Sequence, residues 1–246
     1  MMDRDTAIGG GSSRFPVTRA SVVESLRSDD ADARRRACER LVALYWKPLY
    51  KYARLKWNRS NEDAKDLIQG FFTIALERES LATFDPSRAS FRTFLRLLLD
   101  RYASNELKSA SCIKRGGDTV TLDFDAAEDE LARIAASRPD PEELLRREWV
   151  RSLFGDAVDR LRSELDDSGR AQQFRLFESV DLDDAASRPS YRELAARLGL
   201  TETKVTNDLA AARRRFRAIV LETLRDVTAS ELEFRAEVRA VLGIEP

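Results

Sequence analysis

The sequence predicts an all-α protein of two helical domains, an N-terminal bundle and a C-terminal helix-turn-helix domain, joined by an acidic linker. Three observations lead there. Apolar residues recur at spacings of three and four over long stretches, while strand alternation is nearly absent. Helix punctuation is frequent, with Ser60, Asp140, Ser190 and Thr201 at cap positions and Gly199 at a stop. Charge is also segregated. The 246 residues carry 42 Lys+Arg against 43 Asp+Glu, yet residues 18–115 hold 20 against 13 and residues 116–145 hold 2 against 9. Residues 189–227 turn basic again, with 8 against 5. Two basic blocks around an acidic connector suggest two surfaces that meet phosphate and one segment that does not.

Composition narrows the chemistry. Histidine is absent, which removes imidazole bases, Ser-His-Asp and Cys-His nucleophiles and His-ligated metals together. Only Cys38 and Cys112 could supply thiolates, too few for a four-cysteine zinc site. They read as ordinary reduced thiols. The carboxylate pairs Asp166-Asp167 and Asp183-Asp184 have no nucleophile or Gly-rich phosphate loop beside them, so no enzyme, metal or cofactor is expected. No stretch reaches the roughly 18 apolar residues of a membrane span, and Met1 to Thr6 lacks a signal-peptide core. The expected location is the cytoplasm, at the nucleoid, with no membrane insertion.

Residues 1–17 contain Gly9-Gly10-Gly11-Ser12-Ser13 and read as a disordered arm. In residues 18–115, Ser60 caps a helix and Asp63 takes the box position. Ala64, Leu67, Ile68, Phe71, Phe72 and Ala75 then line one face, with Asp63, Asp66, Gly70 and Thr73 on the other. Gly70 costs roughly 1 kcal/mol relative to Ala in a helix interior. Either something approaches its backbone closely or the helix tolerates it. A turn at Phe84-Asp85-Pro86-Ser87-Arg88-Ala89-Ser90 leads to a second helix that buries Phe91, Phe94, Leu95, Leu98 and Tyr102. Arg101, Asn105 and Lys108 share its solvent stripe, continued by Lys114 and Arg115. Basic residues there can meet phosphates and Asn105 can read a base edge; a solvated basic face is the plainer reading.

Residues 116–139 form the acidic linker, with one short extended candidate at Thr119–Leu122. Asp140, Pro141 and Glu143 restart helix as cap, first position and box residue. In residues 140–227 the clearest pattern is a helix-turn-helix. Ser190 and Glu193 make a capping box, Tyr191, Leu194, Ala195 and Leu198 face inward, and Gly199 ends the helix. Thr201 caps the next, whose buried stripe is Val205, Leu209, Ala212, Phe216 and Ile219. Thr203, Asn207, Ala210, Ala211 and Arg214 lie opposite, flanked by Lys204, Thr206, Arg213, Arg215 and Arg217. In this motif the second helix enters the major groove with its N-terminal residues at base edges. Residues 228–246 form a C-terminal extension, in which Leu232, Phe234, Val238, Val241 and Leu242 predict a short amphipathic helix. It either packs on the second domain or acts as a lid or partner site.

Two segments carry a family resemblance. Asp63-Ala64-Lys65-Asp66-Leu67-Ile68-Gln69-Gly70-Phe71-Phe72 with Phe84 to Leu95 resembles region 2 of bacterial RNA polymerase sigma factors, and Tyr191 to Arg217 resembles region 4. A connector with no domain between them is similar to the extracytoplasmic-function (ECF) group. The Gln69-Gly70-Phe71-Phe72 form and Glu233-Phe234-Arg235 resemble a subgroup of environmental bacteria.

The resemblance implies a transcription-initiation subunit that binds core RNA polymerase and directs it to promoter DNA. Asp63, Asp66, Gln69, Gly70 and Thr73 would dock on the β′ clamp helices, and the second domain would sit at the β flap. Phe84, Asp85, Ser87 and Arg88 would capture a flipped base of the −10 element. Arg92, Arg96, Arg101, Asn105, Lys108, Lys114 and Arg115 would hold the opened strand. Arg192, Thr201, Thr203, Lys204, Thr206, Asn207, Arg213, Arg214 and Arg217 would bind the −35 element. The acidic linker would thread near the active-site and RNA-exit channels.

Gly70 stands where many relatives carry an acid, and Ala210 and Ala211 leave the recognition face short of long polar side chains. An anti-sigma factor, a Ser/Thr kinase acting at Thr73, Thr83 or Thr93, or the tail are the candidate regulators. Two other readings stand beside this one: a helix-turn-helix regulator that never touches polymerase, and a sigma-like interaction module without initiation activity.

Overall fold

A computed structural model describes residues 22–77, 79–109, 140–183 and 189–244. The expected N-terminal arm, the linker 116–139 with its extended candidate, Cys112, Lys114 and Arg115 lie outside these residues, as does the side chain of Lys108. Among the described residues the fold is all-α, with no strand.

Helix α1 (Val22–Ser25) is a single turn and α2 (Ala31–Lys56) is long. Asp30 caps α2 by accepting from the amides of Asp32 and Ala33. From Tyr45 to Ala53 nearly every residue of α2 is buried, Pro48 and Lys51 included. A helix buried on most sides is a central helix. It is flanked by α3 (Asn61–Glu77) and by α5 (Pro141–Asp167). A short 3₁₀ turn, Ser80–Thr83, follows α3 and leads to α4 (Phe91–Ser109).

Asp140 caps α5 through the Glu143 amide at 2.9 Å, with Pro141 in the first turn. The box does not close as expected, because the Glu143 carboxylate forks onto Arg146 instead, at 2.7 and 2.9 Å. Leu145, Trp149, Leu153, Ala157, Leu161 and Leu165 are all buried on one stripe of α5. Next come α6 (Ala171–Phe177), a π-helical turn at Glu178–Leu182, α7 (Tyr191–Leu198), α8 (Glu202–Asp226) and α9 (Glu231–Leu242).

Among the described residues, two hydrophobic cores result. The large one draws on both halves of the chain, from Val23 through Phe72 and Leu99 to Trp149, Leu224 and Val238. The small one joins Leu176, Val180, Leu194, Ala195, Val205 and Leu209 under the helix-turn-helix. Packing therefore does not divide at the acidic linker. Helix α5, expected in the second domain, lies along α2 of the first.

Polar groups fix that interface. Lys51, 0% exposed, bonds Glu148 at 2.6 Å, and the other oxygen of Glu148 accepts from Arg151 at 2.6 Å. Arg40 grips Asp156 with both guanidinium nitrogens. In the buried Lys51–Glu148 pair the cost of desolvating both charges offsets much of their attraction, so losing one partner is far more damaging than losing both.

Candidate nucleic-acid interface

The α3 face is built as expected. The Ser60 hydroxyl accepts from the Asp63 amide at 3.1 Å, as a cap does, and donates to the Asp63 carboxylate at 2.8 Å, a bond between side chains in place of the expected box. Ala64, Leu67, Ile68, Phe71, Phe72 and Ala75 are buried, so Asp63 and Asp66 project into solvent beside Glu62. Gln69, Gly70 and Thr73 are only half-exposed. Gly70 faces α4, where a Cβ would stand 2.4 Å from the Tyr102 hydroxyl oxygen. The close approach that a helix-interior glycine invites comes from within the fold.

The turn after Thr83 departs from expectation at its aromatic residue. Phe84 is 2% exposed and packs edge-on against Phe91 at 5.1 Å and on Phe94 at 5.2 Å. Its carbonyl is held by Arg27, which also bonds the Ala82 carbonyl at 3.0 Å. Phe84 thus pins the turn to the core. Asp85, Ser87 and Arg88 remain exposed. Asp85 accepts from both the hydroxyl and the amide of Ser87, and these bonds, with Arg88 beside it, hold its carboxyl below the usual range.

Helix α4 buries Phe91, Leu95, Leu99 and Ala103, while Phe94, Leu98 and Tyr102 are half-exposed. The expected stripe was centred one residue away from the true one, because Leu98 and Leu99 both suit an apolar face. Of the expected strand-binding residues, Arg101 and Asn105 are exposed. Arg92 and Arg96 are not free. Arg92 lies over the Trp149 ring at 4.4 Å and pairs with Glu237 at 3.2 Å. Arg96 pairs with Asp100 at 3.2 Å and Glu142 at 3.1 Å.

The helix-turn-helix forms as read. Ser190 and Glu193 make a reciprocal capping box, and its bonds hold the Glu193 carboxyl below its ordinary range. Gly199 ends α7 at φ 65° and ψ 33°, a conformation that glycine adopts without penalty. Thr201 accepts from the Lys204 amide at 3.1 Å. Arg192, Thr201, Thr203, Lys204, Thr206 and Asn207 are exposed, as are Arg213, Arg214 and Arg217.

Local bonds sort these residues further. Lys204 pairs with Asp208 at 2.6 Å, and the Thr206 hydroxyl donates to the Glu202 carbonyl. Arg213 forks onto Asp181 at 2.9 Å on both arms, anchoring the π-helical turn to α8. Arg215 forks onto Glu164 at 2.6 Å on both arms, tying α8 to α5. Thr203, Asn207 and Arg214 are exposed polar groups on the same N-terminal half of α8.

Sequence reasoning missed Lys51, Glu148, Asp181, Glu233 and Glu237. Lys51 left a faint signal, a lone cation inside the run Leu49-Tyr50-Lys51-Tyr52-Ala53. The carboxylates left little, since Lys51 lies 97 residues from Glu148, Arg213 32 from Asp181, the Phe91 amide 142 from Glu233 and Arg92 145 from Glu237. Cys38 is half-buried and free, and burial pushes its thiol up, away from reactivity. Among the described residues no cluster of acids and cysteines could hold a metal ion, and no helix is long and apolar enough to cross a membrane.

Compared with family models, with curated proteins and with solved structures, the chain matches none.

Proposed function

We propose that the chain is a non-catalytic promoter-specificity subunit of the sigma type, which binds core RNA polymerase and directs it to promoter DNA. The observation that carries this reading is the capped helix-turn-helix of α7 and α8, with Thr203, Lys204, Thr206 and Asn207 exposed on the first two turns of its second helix. An α-helix presented in this way fits the major groove, where Asn pairs with adenine and Lys with guanine or phosphate. The exposed Asp63 and Asp66 on α3 support a second, protein-binding role. Arg101 and Asn105 on α4 support a strand-binding one.

The test is transcription from a fragmented genomic library by core polymerase that lacks any sigma subunit, with and without the purified chain. Starts clustered downstream of a shared two-part motif are the expected result, and D63R/D66R should abolish them together with core binding. Absence of core binding by the unaltered chain would sink the proposal. A helix-turn-helix regulator independent of polymerase is the second reading, favoured by Arg92 and Arg96 being engaged within the chain.

A further inference from the structure

Helix α9 does more than cover the core. Its apolar side seats Phe234 and Val238 in the large core, beside α8. Its acidic side crosses to the first turn of α4. One oxygen of Glu233 accepts from the Phe91 amide at 3.0 Å and the other from the Ala229 amide at 2.9 Å. Glu237 receives Arg92 on both oxygens, at 3.2 and 3.3 Å, with the two side chains only 11% and 18% exposed.

A free helix amide and a guanidinium are the donors that a phosphate takes. Here two carboxylates take them. The arrangement has an electrostatic cost: burial and the neighbouring Glu237 push the Glu233 carboxyl above its ordinary range. Apolar residues would fill the same space without placing two like charges side by side.

We propose that α9 is an autoinhibitory strap, whose Glu233 and Glu237 occupy the phosphate-binding donors of α4 and keep a nucleic-acid strand off that face until α9 is displaced. The inference rests on the proposed strand-binding role of α4. It also gives Leu232, 80% exposed on the outer side of α9, a position from which a partner could pull the strap away.

The experiment uses the full chain, its E233Q/E237Q variant and a variant ending at Val227, with folding checked by circular dichroism. Hydrogen exchange reports on the first turn of α4, and fluorescence anisotropy reports on a labelled single-stranded DNA of about 20 nucleotides at fixed salt. The expected result is faster exchange in α4 and about tenfold tighter DNA binding in at least one variant, with R101A reversing the gain. Unchanged α4 exchange in both variants would overturn the strap. So would faster exchange with DNA affinity equal to the parent's and still sensitive to R101A, although the strand-binding reading would survive. If no form binds DNA above an R92A/R101A control, that reading fails and the strap falls with it.

Discussion

Replacing Gly70 by Ala should act in opposite directions according to what stands at position 102. The new Cβ would lie 2.4 Å from the Tyr102 hydroxyl oxygen, about 1 Å inside ordinary contact, but 3.4 Å from the ring carbon that bears it. Removing the helix-interior glycine gains roughly 1 kcal/mol. Forcing the hydroxyl aside costs about 1–3 kcal/mol by analogy with other overpacked sites, and disturbs its 3.1 Å bond to Glu106. G70A alone should therefore be neutral to destabilising, by up to about 2 kcal/mol. In the Y102F background the obstructing oxygen is gone, and the same change should stabilise by roughly 0.5–1 kcal/mol. The assay is a double-mutant cycle by urea unfolding, with the slopes compared so that only midpoint shifts are interpreted. Equal stabilisation by G70A in both backgrounds would refute the account, because Gly70 would then owe nothing to Tyr102.

Other changes have equally definite signs. K51M leaves Glu148 buried without its lysine and should cost about 3 kcal/mol in urea unfolding, with K51M/E148L recovering most of it. Arg215 holds the Glu164 carboxyl below its ordinary 4.5. That pair's stabilisation is therefore present above the unfolded value and fades as pH falls through the lowered folded one, so E164Q should flatten acid unfolding in this window. S190A removes one half of the capping box and should lower stability by about 1 kcal/mol. N207A should weaken binding to the preferred duplex by about 1–3 kcal/mol and relax selectivity at one base pair, while R214A should weaken all duplexes alike and reduce the salt dependence.

Features set by neighbours in sequence were legible from the chain alone. The apolar face of α3, the cap at Ser60, the Ser190–Glu193 box and the stop at Gly199 all depend on residues within four positions of one another. Features set by distant partners were not. Phe84 looked like a loop aromatic and became core because Phe91 and Phe94 fold back over it. Arg92 looked like a solvent cation until Glu237, 145 residues away, closed on it. Leu232 was counted in the apolar pattern of the tail yet stands 80% exposed, since two residues are about 200° of helix and place it on the side of α9 away from Phe234. The location of α5 was hidden for the same reason. A long amphipathic helix declares that it has a buried side but not which surface receives it.

Helix α8 runs unbroken for 25 residues, with Val205 and Leu209 in the small core and Ile219, Val220 and Leu224 in the large one. Mechanically it is a lever whose fulcrum is the large core. Ala212 is the first α8 residue in that core, and the rise from it to Thr203 is about 13 Å, so a tilt of about 10° at the fulcrum swings the N-terminal end of α8 by about 2 Å. That is more than half of the roughly 3.4 Å between base pairs in a duplex. If α8 enters a major groove as proposed, a repacking too small to unfold anything around Arg40 and Thr223, where α2 and α5 grip α8, would shift Thr203 along the duplex by a large part of one position.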